Sequence, residues 1–184
     1  MGYFGENWDD ADFPIAYLIT IRTFGTWLHG DERSSVDTHG TYNVFGAPRR
    51  QKNMNLAQAM SKNMATSPIT LDKSERKIVS DAITEVCTNR GYRMFTLNVR
   101  SNHAHIVVGA QIKPEPISDA FKSYSTRKLR ELRSIGSEVR PWSRGRSRRY
   151  LWKENDVDAA IAYVMYCQGD DSFEEWVVKH LPAE

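Results

Sequence analysis

Two of the five histidines in this sequence stand one residue apart, in Asn102-His103-Ala104-His105-Ile106-Val107-Val108. The run alternates with the period of a strand, so His103, His105 and Val107 share one face while Ala104, Ile106 and Val108 share the other. A strand with a core face on one side and paired imidazoles on the other presents two rigid nitrogen donors to one metal ion. The same pair could instead hydrogen-bond on a polar sheet face, and the tripeptide alone leaves both readings open. His29, His39 and His180 stand singly in loop or tail sequence and read as surface residues.

A tyrosine near the end of the chain is the second candidate. From Asn155 to about Cys167 the sequence has helical spacing, with an apolar stripe centred on Val157, Ile161 and Val164. At 100° per residue, Tyr163 lies about 100° away, at the edge of that stripe. Such a residue ordinarily has a buried ring and a wet hydroxyl. Beside a metal site its phenol can serve as a nucleophile. Tyr166 points further toward solvent and is the weaker candidate.

Charge supplies the third feature. The net charge of +2 hides a polarised chain: ten Lys or Arg lie between Lys122 and Arg149 against only Glu131 and Glu138, so the remainder is acidic. The segment is longer than one helix and mostly arginine, which favours phosphate recognition over a merely solvated helix face. Arg127, Lys128, Arg144, Arg146, Arg148 and Arg149 are interleaved with Tyr124, Trp142, Tyr150 and Trp152, a composition able to track a nucleic-acid backbone and stack its bases. Other chemistries lack their residues. There is no H-x-E with a later P-C-x-x-C, no H-E-x-x-H and no clustered cysteine. A Walker A loop and a Rossmann glycine pattern are missing too.

The elements that must carry these groups follow from period and punctuation. Ile15 to Arg22 is β-branched and apolar on both faces, the mark of a central strand. The stretch from Phe24 to about Asn53, with Gly40, Gly46 and Pro48, has no period, and loops of that length are more often functional than filler. A short helix fits Asn55 to Asn63. A clearer one runs from Ser74 to Arg90 on Ile78, Val79, Ala82, Ile83 and Val86, capped by Asp72 or Ser74 and ended by Gly91. Strands then follow at Tyr92 to Val99 and His103 to Ala110, joined by a tight Ser101-Asn102 turn. Pro114 and Pro116 open a helix of roughly Ile117 to Arg133. A basic loop or hairpin from Arg140 leads into a short strand that closes on Arg149-Tyr150-Leu151-Trp152. Asn155 is a plausible cap for the tyrosine helix and Gly169 its stop, with an amphipathic tail from Ser172 to Leu181.

Strand, helix, strand, strand, helix, strand is the order of an α+β, ferredoxin-like antiparallel sheet (βαββαβ), with the first and third strands central. Helices on one face leave the other for a site, approached by the C-terminal tyrosine-bearing helix. The length of 184 residues suits a single domain (1–184, core about 15–169). No apolar run approaches the roughly 18 residues needed to cross a bilayer. The acidic N-terminus lacks the regions of a signal peptide. Cys87 and Cys167 make no disulfide framework, so a cytoplasmic location is expected.

The whole arrangement resembles the HUH single-tyrosine transposases, in particular the REP-associated tyrosine transposases and related insertion-sequence proteins. The resemblance runs from about Ile15 to Gly169. It rests on Thr23-Phe24-Gly25-Thr26-Trp27-Leu28-His29-Gly30-Asp31-Glu32-Arg33 after the first strand and on Asn102-His103-Ala104-His105-Ile106-Val107-Val108. It continues in Lys122 with Ser125-Thr126-Arg127-Lys128-Leu129, in Arg148-Arg149-Tyr150-Leu151-Trp152, and in Ala159-Ala160-Ile161-Ala162-Tyr163-Val164 followed by Gln168-Gly169. It implies a single-stranded DNA endonuclease and strand-transferase, usually acting at hairpin DNA, as a monomer or a homodimer.

On that resemblance His103 and His105 would hold one Mg²⁺ or Mn²⁺, and Tyr163 would form a 5′-phosphotyrosine. Lys122, Lys128, Trp152 and the arginines above would contact DNA. The family's polar third ligand commonly lies four residues past the tyrosine. Here that position is Cys167, and the nearest amide is Gln168, about 140° from Tyr163 on a regular helix. Fraying at Gly169 would let Gln168 swing in. Two other readings fit the same residues: a non-catalytic nucleic-acid-binding protein, and a metal phosphodiesterase that uses activated water.

Overall fold

The apolar run after Ile15 forms strand β1 (Ala16–Arg22), in which every residue but Arg22 is buried. In this computed structural model, which describes residues 13–27, 53–62, 64, 67–133, 138–145 and 147–166, three further strands join it. They are β2 (Arg93–Val99), β3 (His103–Gly109) and β4 (Ser147–Leu151), in the order β2-β3-β1-β4 with every neighbouring pair antiparallel. Helices α1 (Met54–Lys62), α2 (Lys73–Arg90), α3 (Pro114–Arg133) and α4 (Glu154–Tyr166) complete the described elements. This is the α+β, ferredoxin-like order, with β1 and β3 in the centre.

Side-chain alternation divides the sheet into two faces. Tyr17, Ile19, Ile21, Ala104, Ile106 and Val108 pack against Val79, Ile83 and Val86 of α2 and Ile117, Phe121 and Leu129 of α3. Each large side chain so buried contributes about 1.5–3 kcal/mol before entropy is charged against it. The second face carries a smaller cluster, Ala16, Leu18, Val107 and Leu151 under Val157, Ala160, Tyr163 and Val164 of α4. The face expected to be open is therefore half covered. Its apolar end would be a patch in water, and α4 removes it. The polar end carries the histidines.

Local chemistry fixes the helix ends. Asp72, not Ser74, caps α2: its Oδ1 accepts from the Glu75 N–H at 2.8 Å, and the Asp72 N–H donates to Glu75 Oε2 at 2.9 Å, a closed capping box. Gly91 ends the helix at φ 67, the left-handed region where a side chain would be strained. Helix α3 begins at Pro114 rather than near Ile117, because a proline costs nothing in the first turn, where its missing N–H has no partner anyway. Asn155 lies inside α4 rather than capping it. The Lys153 carbonyl accepts from the Asp156 and Val157 N–H groups, so the first turn closes two residues earlier. Strand β4 starts at Ser147 and stops before Trp152. Upstream of it, residues 141–143 run beside the end of β1, with the Ser143 N–H on the Arg22 carbonyl and the Phe24 N–H on the Pro141 carbonyl. No described helix is long and apolar enough to cross a membrane.

Candidate functional site

The tight Ser101-Asn102 turn and the central position of β3 decide what surrounds the histidines. In the sheet register His105 lies opposite Thr20 on β1 and Asn98 on β2, while His103 lies opposite Arg22. Ser147 of β4 extends the same row beyond Thr20. Directly opposed residues share a face, so Thr20, Arg22, Asn98, His103, His105 and Ser147 form one polar field at one end of the sheet.

The two imidazoles are neighbours, with ring centroids 4.5 Å apart and planes at 68°. Each is oriented through its Nδ1. His103 Nδ1 lies 2.7 Å from Asn102 Oδ1. That oxygen can only accept, so Nδ1 carries a proton. His105 Nδ1 is hydrogen-bonded with Thr20 Oγ1 at 2.8 Å, a partner able to impose the same tautomer. Asn102 is itself held, since its backbone carbonyl accepts from the Thr23 N–H and the Thr23 hydroxyl. Burial, and after it the charges of His103, Arg22 and Arg100, push the His105 pKa down to about 3. The ring is neutral at physiological pH, the form that ligates a metal.

Helix α4 lays Tyr163 across this field. The ring is 7% exposed, so it is a core residue rather than a boundary one, and its edge meets His105 at 5.3 Å between centroids and 69° between planes. Asn98 pins the helix there, its Nδ2 donating to the Val164 carbonyl at 2.9 Å. Tyr166 is 70% exposed and far out on the helix. Arg149, opposite Leu18 on the same sheet face, interacts electrostatically with Asp156 and Tyr163. Burial nonetheless outweighs those two attractions and leaves its pKa lowered.

The basic segment does not stay together. Arg148 and Arg149 are adjacent in a strand and so point to opposite faces. Arg148 pairs with Glu115 of α3 on the far side. Lys122 donates to the carbonyls of Ser143 and Gly145, both at 2.9 Å, and so ties α3 to the loop before β4. Lys128 lies 3.5 Å from Glu85 of α2, and exposed Arg127 stacks over Tyr124 at 4.6 Å. Arg144 is exposed, and Trp152 is 42% exposed just past β4. Arg146, Cys167, Gln168, Gly169, His29, His39, His180, residues 28–52 and the tail lie outside the described residues. Two cations escaped the sequence reading: Arg22, whose guanidinium lies 3.8 Å above the Trp27 ring, and Arg100, beside His103 at the turn. Only register brings them to the histidines.

The donor set fits a divalent cation as far as it goes. Two adjacent imidazoles, each with its Nδ1 oriented by a hydrogen bond, have the support that metal-binding histidines usually have. Among the described residues no cluster of three His, Cys, Asp or Glu surrounds them.

Solved transposases resemble this chain. One is a protein bearing a transposase name from Deinococcus radiodurans R1, 13% identical with a TM-score of 0.43, the match covering 88% of this chain and 95% of that one. Another is a REP-associated tyrosine transposase bound to a REP hairpin, 10% identical with a TM-score of 0.48, over 98% of this chain and 75% of that one. No family model and no curated protein sequence matches.

Proposed function

We propose that this protein is a metal-dependent single-stranded DNA nicking and joining enzyme that works through Tyr163. The observation that carries the reading is the contact of the Tyr163 ring with His105, next to His103, on one rigid sheet face. A structural tyrosine needs no paired, oriented imidazoles beside it, and a protein that only binds nucleic acid needs neither.

In this reading His103 and His105 would hold Mg²⁺ or Mn²⁺. When bound, that ion supplies Lewis-acid polarisation of the scissile phosphate and stabilises charge on the departing oxygen. The Tyr163 phenol oxygen attacks phosphorus, giving up its proton to solvent. The phosphorus–tyrosine bond forms as the bond to the 3′ oxygen breaks, and that oxygen leaves as a hydroxyl after taking up a proton. The 5′-phosphotyrosine keeps the phosphodiester bond energy, so a second 3′ hydroxyl can reverse the step and join strands. Arg149, near the phenol, favours the phenolate. Arg22, Arg100 and Trp27 border the site with the charge and the aromatic surface that a single strand requires.

The test is direct. Protein, Mn²⁺ and a hairpin-bearing single-stranded DNA are incubated and resolved under denaturing conditions. A hairpin is the ligand named for one of the similar structures and is the natural first substrate. Wild type is expected to form a covalent adduct that Tyr163→Phe lacks. An adduct that survives in Tyr163→Phe refutes the assigned nucleophile. Cleavage with no adduct points to a water-using phosphodiesterase, and binding with no cleavage to a non-catalytic module.

A further inference from the structure

Asn98 has two polar ends and the structure commits only one of them. Its Nδ2 donates to the Val164 carbonyl, one residue past Tyr163. Because a carbonyl can only accept, the amide must turn its nitrogen to Val164, which fixes where the oxygen is. Among the described residues nothing donates to that oxygen. Asn98 sits directly opposite His105 in the sheet, which puts the two Cβ atoms about 5 Å apart on one face. Mg²⁺ and Mn²⁺ prefer oxygen donors, so two imidazoles alone are an incomplete set for either. No third His, Cys, Asp or Glu is gathered there among the described residues.

We propose that the Asn98 carboxamide oxygen is a third ligand of the ion held by His103 and His105, while its nitrogen holds the tyrosine helix. This rests on the metal-site reading above and locates the missing donor on β2 rather than past Tyr163. It also makes one amide group join the two halves of the site. An ion drawing on Oδ1 polarises the amide and strengthens the bond from Nδ2 to α4, so metal loading steadies the helix that carries Tyr163.

Mn²⁺ affinity of the full chain, measured by titration calorimetry and by loss of the free-ion EPR signal, tests this without DNA. Asn98→Ala removes both ends of the group and is expected to bind Mn²⁺ at least tenfold more weakly. Asn98→Asp loses the donor to Val164 but keeps an oxygen and adds charge, so it is expected to bind at least as tightly as wild type. Pulsed EPR on Mn²⁺-loaded protein made with carboxamide-labelled asparagine should show a hyperfine coupling that Asn98→Ala lacks. If the two variants weaken binding alike, if neither changes it, or if no coupling is seen, Asn98 is not a ligand, and the proposed function still stands. If wild type binds Mn²⁺ no better than His105→Ala, the metal site itself is wrong and this inference falls with it. Melting curves check folding. Should Asn98→Ala fail to fold, Asn98→Asp decides alone: wild-type affinity or better supports the ligand, and a tenfold loss overturns it.

Discussion

Thr20 is a buried threonine in the middle of an apolar strand, and its hydroxyl faces His105 Nδ1. The role of this buried hydroxyl is to orient the ring. Thr20→Val keeps the shape and removes the partner, leaving Nδ1 to find a proton acceptor elsewhere. Loss of such a support typically weakens metal binding about 10–100-fold. Mn²⁺ titration of Thr20→Val is expected to fall in that range with little change in thermal stability, and an unchanged affinity would mean that Thr20 does not set the tautomer. The histidine pair itself was visible in the sequence because strand alternation puts His103 and His105 on one side whatever the fold. Asn98 was not visible. An asparagine in a strand has no spacing signature, and only the pairing of β2 with β3 places it beside His105.

At the scale of elements, β4 shows why a basic segment is not a basic surface. Alternation separates Arg148 from Arg149, and α3 then engages Arg148 through Glu115 while Lys122 is spent on loop carbonyls. The cations at the histidines come instead from β1 and the β2–β3 turn. In salt titrations of single-stranded DNA binding, Arg22→Ala and Arg100→Ala should each reduce the slope of log affinity against log salt by about 0.7, the share of one phosphate contact. Arg148→Ala is expected to leave that slope unchanged and to lower the melting temperature slightly, since its pair with Glu115 is partly exposed. A reduced slope for Arg148→Ala would return it to the DNA-binding surface. Helix α4 makes the complementary point. A helical wheel places Tyr163 at the margin of its own helix's stripe, but a wheel knows nothing of the sheet beneath. Leu18, Val107 and Leu151 supply an apolar floor, and against it the margin becomes core.

For the whole molecule, the two-faced sheet sets the response to alkali. Burial raises the Tyr17 hydroxyl to about 12, with Tyr150 adding to it, and raises the Cys87 thiol to about 11. Tyr17 also donates to the Ile112 carbonyl, a bond that its ionised form cannot make. In the unfolded chain these groups ionise at their ordinary values near 10 and 9. Between those values and the raised ones the folded state holds more protons than the unfolded state, so stability falls as pH rises. Denaturant melts are expected to show a loss of stability beginning near pH 9 and deepening toward pH 11. Tyr17→Phe should remove the steeper, later part of that loss. A flat profile across this window would show that neither group stays protonated in the fold.

By itself the sequence determined the element order, the two faces of β3, a cap at Asp72 or Ser74, the stop at Gly91 and the candidate pair of histidines. Each of these follows from short-range rules: a period of two, a period of 3.6, and the few residues able to end a helix. Tertiary structure alone decided that α4 closes the second face and that the Tyr163 ring meets His105. It also decided that Asn98 and Thr20 flank the pair, and that Arg22 and Arg100 join Arg149 at the site. Those relations join residues far apart in the chain, Thr20 and His105 by 85 positions. They depend on which strands pair and in what register, and that choice is made by burying both apolar faces of one sheet at once.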